Sequence, residues 1–212
     1  MQLVRARYQE LWQDKNFVMG AIASLLLFIL ALGVNFWAIK QATTKAGPAV
    51  PDIILSNIPV VEVDGLFVYG TLVFALFTLS LLITHPNRIP FAFHALTLFV
   101  LIRCAFTLMT HLGSPLPSYT SDFGETITNA FFGADQFFSG HTGMPFLGAL
   151  AFWHIPWIRN VFLAGTAYFV LVVLFGHIHY TIDVMSAFFI TYGIYQIALR
   201  AFPRERAWFL RA

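Results

Sequence analysis

Two short polar stretches stand out in a chain of 212 residues that is 58% hydrophobic: Phe138-Ser139-Gly140-His141-Thr142, and His177-Ile178-His179-Tyr180-Thr181-Ile182-Asp183-Val184 about forty residues later. Their residue types suit phosphate chemistry. Ser139 stands where an N-cap would open a helix, and Gly140 lets a ligand approach the backbone closely. His141 then falls in the first helical turn, where unbonded N–H groups and a partial positive charge attract anions, phosphate above all. An imidazole there gives or takes a proton near neutral pH. His179 and Asp183 are four residues apart and share a face if the turn between them is already helical. A carboxylate on one imidazole nitrogen fixes the tautomer and leaves the other nitrogen free to attack. Arg103, a cation inside an apolar run, suits bidentate phosphate binding. Two histidines, an aspartate and an arginine at a helix start make a phosphoryl-transfer site that needs no metal and no other cofactor.

Other chemistries compete for the same residues. A zinc ion bound by His141, His177, His179 and Asp183 is the main one, although neither a cysteine ligand nor an HExxH pattern accompanies it. His111 and His177 are candidate supporting residues. Asp135 is either a helix-capping group or a direct phosphate contact, and Thr142 belongs with Ser139 and Gly140 as a phosphate contact. His85, His94 and His154 read as structural.

These groups must be positioned by helices in a membrane. Only 10% of residues are charged, against roughly 25% in a soluble domain. The net charge of +2 points to no nucleic acid. The lone Cys104 excludes an intrachain disulfide, and the first apolar run is too long for a signal-peptide core. Residues 1–16 place Val4, Tyr8, Leu11 and Trp12 on one face, the pattern of a helix lying on a membrane surface. Six apolar runs follow, at 17–39, 65–84, 91–111, 142–158, 160–176 and 182–202, the fourth and fifth near the lower limit of about 17 residues for a span. The expected fold is therefore all-α, with a six-helix membrane domain over 17–202 and a cytoplasmic tail over 203–212. With the N-terminus in the cytoplasm, nine Lys and Arg residues fall inside and two, Lys40 and Lys45, outside, so both termini are expected to be cytoplasmic. The loops carrying Asp52, Asp122, Glu125, His141, His179 and Asp183 then face the opposite side. Neither inverted repeats nor broken helices, the marks of a transporter, are evident.

Asp135-Gln136-Phe137-Phe138-Ser139-Gly140-His141-Thr142 and His179-Tyr180-Thr181-Ile182-Asp183-Val184 resemble the third and fourth motifs of the sphingomyelin synthase family, within the type 2 phosphatidic acid phosphatase superfamily. Arg103-Cys104, followed by Thr110 and Pro115-Leu116-Pro117, resembles its second motif with stretched spacing, and Val50-Pro51-Asp52 faintly resembles the first. The similarity covers roughly 48–192. It implies six spans, a lumenal or exoplasmic site, and a triad of His141, His179 and Asp183 in which the second histidine attacks phosphorus and the first protonates the departing alcohol. A phospho-headgroup would pass from a membrane phospholipid to ceramide or another lipid alcohol, leaving diacylglycerol. Hydrolysis of a lipid phosphate or phosphodiester by water is the alternative. The Thr-Arg and aromatic cluster of the family after the fourth motif is replaced here by Thr191-Tyr192-Gly193-Ile194-Tyr195, and the basic first motif of lipid phosphatases is absent. The resemblance suits a small bacterial member in the inner membrane with a periplasmic site, or a protein of a eukaryotic membrane with a lumenal one.

Overall fold

The structure, a computed structural model, describes residues 2–115 and 137–211, with side chains from residue 5 onward. Asp135, the Pro117–Ser121 stretch and the acidic residues Asp122 and Glu125 lie outside the described residues, as does the side chain of Val4. Every described element is a helix or a turn. The helices are α1 (Gln2–Gln13), α2 (Lys15–Thr44), α3 (Asp64–Thr84), α4 (Ile89–Met109), α5 (Gly140–Ala151), α6 (Pro156–Phe175), α7 (Thr181–Ala201) and α8 (Pro203–Phe209). Five of them, α2, α3, α4, α6 and α7, are long and apolar enough to cross a membrane. The chain is an all-α, multi-pass membrane protein.

The fourth apolar run behaves differently from the other five. It was expected to continue to Ile158, yet α5 stops at Ala151 after 12 residues, about 18 Å against a hydrocarbon thickness of about 30 Å. Pro156 explains the break. A residue before proline is pushed out of the α region, and Ile155 is extended, with φ −117° and ψ 95°. Pro156 then opens α6 at a position where its missing N–H costs nothing.

Packing follows side-chain size. Ser24, Ala31 and Ala38 recur every seven residues on α2 and are almost fully buried. These small side chains let α2 lie closely along α4, where Ala31 and Ala38 meet Val100 and Cys104. α5 packs on α6 and α7. The polar contacts gather both termini at one end of the bundle. Arg7 and Tyr8 of α1 donate to the last carbonyls of α3, at Thr84 and Ile83 (both 3.2 Å). Asn87 donates to the carbonyls of Trp208 and Arg211, and Arg206 to that of Ala151. Helix C-termini leave four carbonyls without intrahelical partners, and these side chains satisfy several of them. We call this the terminal end, and the opposite one the loop end.

Candidate functional site

α5 starts as the sequence led us to expect. Ser139 is extended (φ −61°, ψ 116°) and its Oγ accepts from the Thr142 N–H at 3.3 Å. Just before it, Phe138 has φ 29°, a left-handed value that costs a non-glycine residue of order 1–3 kcal/mol. Two contacts hold it there. Its ring is fully buried edge-on against Phe99, at 5.3 Å, and its carbonyl accepts from Arg103 Nε at 3.1 Å. Arg103 thus anchors the turn that presents Gly140 and His141. A Cβ on Gly140 would stand 3.3 Å from Arg103 Nε, so the absence of a side chain there gives the guanidinium access to the helix start.

The second motif reaches the same place by a different route. α6 ends in a Schellman motif: Ile178 N–H donates to the Val173 carbonyl (2.9 Å) and His177 N–H to that of Leu174 (3.1 Å). His177 fills the left-handed position that glycine usually takes, with φ 49°. Both its ring nitrogens are buried and, among the described residues, take no hydrogen bond. The chain then bends at His179, and Tyr180 is extended (φ −68°, ψ 156°) before α7 begins at Thr181.

His179 and Asp183 do pair, with Nδ1 and Oδ2 3.5 Å apart, but not because they share a helical face. His179 precedes the helix. Asp183 occupies the third position of α7 and turns back, so that Oδ2 accepts from the Tyr180 N–H at 3.0 Å, one half of a capping box. That reversal carries the carboxylate to His179. The separation exceeds the roughly 2.7–2.9 Å of a strong charge-assisted hydrogen bond, so it describes an oriented pair rather than a tight ion pair. Asp183 is fully buried, and His179 nearly so at 4% exposed.

The two motifs are joined directly: Ser139 N–H donates to the Asp183 main-chain carbonyl at 3.1 Å. His141 is half-buried, its ring 4.2 Å from that of Phe67 on α3 and 5.7 Å from Phe169 on α6. It lies within electrostatic reach of His179 and Arg103. The structure therefore brings together His141, His179, Asp183, Arg103, Ser139 and Gly140. Thr142 turns inward. Its N–H is spent on the Ser139 cap, and its buried Oγ1 has no partner among the described residues. Among those residues no three His, Cys, Asp or Glu side chains converge as metal ligands would, so the zinc reading gains no support.

Sequence reasoning undervalued Asp52 and Tyr180. Asp52 accepts from Thr181 twice, at the N–H (2.7 Å) and at Oγ1 (2.8 Å), and from the N–H groups of Ile54 and Leu55. It therefore caps α7 from 129 residues away. Burial alone would raise its pKa, but the hydrogen bonds from Leu55, Thr181 and Ile54 outweigh that and hold it below the usual carboxylate value. Tyr180 sends its hydroxyl to the Gly113 carbonyl (2.9 Å) and receives the Val50 N–H (3.1 Å). Two loops are thereby tied to the residue between His179 and Asp183. Only the faint Val50-Pro51-Asp52 motif hinted at this. Phe67, whose ring packs at a tilt against that of His141, carried no signal in the sequence.

Neither a family model, nor a curated protein, nor a solved structure matches this chain.

Proposed function

We propose that the chain is a membrane phosphotransferase that moves a phospho-headgroup from a glycerophospholipid to a lipid alcohol, ceramide or an analogous acceptor, through a phosphohistidine. The observation that carries this reading is the junction of the two motifs. An oriented His–Asp pair meets a capped helix start bearing a second histidine, with an arginine beside it. His179 Nδ1 faces Asp183, so Nε2 is the attacking atom. It bonds to phosphorus as the bond to the diacylglycerol oxygen breaks, and His141 delivers a proton to that oxygen. The acceptor alcohol then loses its proton to His141 and attacks phosphorus, and His179 is released. Arg103 and the start of α5 meet the charge on the phosphoryl oxygens.

In this reading α5 is a sixth, short crossing, both termini are cytoplasmic, and the loop end faces the exoplasmic or periplasmic side. The excess of Lys and Arg expected inside supports that orientation, since Arg7, Arg88 and Arg206 make their contacts at the terminal end.

Mass spectrometry of lipids after incubation of the purified protein with defined phospholipids, with and without ceramide, is the test. A new ceramide-linked phospholipid and equimolar diacylglycerol, both dependent on ceramide, are the expected products. Release of free phosphate or a free phospho-headgroup regardless of ceramide would replace this reading with hydrolysis.

A further inference from the structure

Beneath His141 lies a half-open apolar cavity of about 400 Å³, between α3, α4, α5 and α6 and reaching Phe28 of α2, with Leu79 and Met144 at its exposed edge. Ligand sites span about 300–1,000 Å³, so it is large enough to hold a guest. Its wall runs from Thr71 to Leu82 on α3 and from Gly140 to Ala151 on α5, in each case about 16 Å at 1.5 Å per residue. Phe152 and Phe209 belong to the wall at the terminal end, His141 and Gly140 at the other.

The lining offers almost no polar atom below the histidine. Thr71 and Thr78 turn their hydroxyls back onto the Phe67 and Phe74 carbonyls of their own helix, at 2.7 and 2.9 Å, which satisfies those hydroxyls within the helix. An apolar cavity stays dry and takes an apolar guest. Its length matches the hydrocarbon depth of one leaflet, about half of the roughly 30 Å core. The volume suits one alkyl chain, and His141, the one titratable group among the described lining residues, stands at the end nearest the candidate site.

We infer that this cavity holds a single long alkyl chain of the lipid whose phosphate lies at His141. The inference rests on the phosphotransferase reading for the polar end of the ligand, but the chain site is tested separately. Ala75, although exposed at the open side, lines the cavity, whereas Leu76 is 66% exposed and does not line it. The probe is a phosphatidylcholine with a diazirine at the chain terminus, irradiated with the purified protein and mapped by peptide mass spectrometry.

Adducts are expected on wall residues such as Thr78, Leu82 and Phe209. Ala75→Trp should abolish them, and Leu76→Trp should leave them intact. Thr78→Trp, which fills the same space from the next turn, repeats the test should Ala75→Trp fail to fold. Ala75→Trp should also lose turnover of long-chain substrate while keeping that of a short-chain one. Adducts confined to outward positions such as Leu72 and Leu76, or cavity adducts undiminished by both cavity-filling variants, overturn the chain site. Cavity adducts without any headgroup transfer uphold the chain site and remove the phosphotransferase reading. Transfer accompanied only by outward adducts does the reverse.

Discussion

The two ends of this bundle arrange the same residue types in different ways. At the terminal end, His94 stacks on Phe202 at 4.2 Å and 25°, and its Nδ1 is 2.8 Å from the Pro90 carbonyl. Arg88 lies over the Phe152 ring at 5.1 Å, and Arg206 over Phe91 and Phe209 at 5.1 and 5.0 Å. Each of these groups is spent on an aromatic face or a carbonyl of its own surroundings. At the loop end, His141, His179 and Arg103 meet around a helix start that opens on a cavity. A histidine or arginine in an apolar chain is therefore no sign of chemistry by itself. Convergence at a capped helix start, with a carboxylate behind one ring, separates the two ends.

The sharpest way to break that contrast is to remove one histidine from each end. His179→Ala should abolish both headgroup transfer and radiolabelled phosphohistidine, because the proposed attacking atom is gone. His94→Phe should keep the stacking on Phe202 and keep turnover near that of the parent. Equal losses in the two variants, each with an unchanged melting temperature, would show that the ends do not differ in chemistry. Next in size is His141→Ala. A positioned general acid contributes roughly 10²–10⁴ in rate, so turnover of a natural phospholipid should fall by about that factor. With a nitrophenyl phosphodiester, whose leaving group needs no proton, cleavage should continue and the phosphohistidine should accumulate. A label that survives in His179→Ala and disappears in His141→Ala would exchange the two roles.

Much of this was legible in the sequence because membrane helices leave few choices. The five long helices, the capped start at Ser139 and the placement of Arg103 near it all follow from hydropathy, capping residues and rise per residue. Local cues failed where the chain leaves helical geometry. The spacing of His179 and Asp183 suggested a shared helical face, yet their pairing comes from a carboxylate that reverses to cap the Tyr180 N–H. The short α5 was hidden because Phe152, Trp153 and Ile155 look as apolar as a helix interior, and only Pro156 marks the stop. The cap supplied by Asp52 spans 129 residues, a distance that no periodicity reports.

Arg103→Lys sharpens the contrast at intermediate size. A lysine ammonium cannot reproduce the fixed fork of a guanidinium, so it cannot hold the Phe138 carbonyl and lie along Gly140 together. Loss of a hydrogen bond to a charged group costs about 1.5–3 kcal/mol, so kcat/KM should fall about ten- to a hundredfold. At the terminal end, Arg88→Lys keeps a cation over Phe152 and should change turnover little. If Arg103→Lys keeps full turnover, the guanidinium is structural, as Arg88 is.

The smallest expected effect belongs to Asp52, and its pH dependence makes it distinctive. Its carboxylate caps α7 through Thr181 in the ionised form, and those bonds hold its pKa below the usual value. A carboxyl group with a depressed folded pKa stabilises the fold fully above its unfolded pKa, about 3.9. That contribution is lost as pH falls through the lower folded value. Asp52→Asn keeps an oxygen acceptor but no charge, and a cap of this kind is worth about 1 kcal/mol. At neutral pH the variant should therefore melt a few degrees lower, because 1 kcal/mol shifts the midpoint by about 2–4 °C in a domain of this size. The gap between parent and variant should close as the pH is lowered through the folded pKa of Asp52, since protonation removes the same charge from the parent. Turnover at neutral pH should fall only severalfold, because Asp52 holds the turn that carries His179 rather than touching the substrate. A gap that stays constant from neutral to acid pH would mean that the charge of Asp52 does nothing for α7, and that Tyr180, bridging Gly113 and Val50, fixes the turn without it.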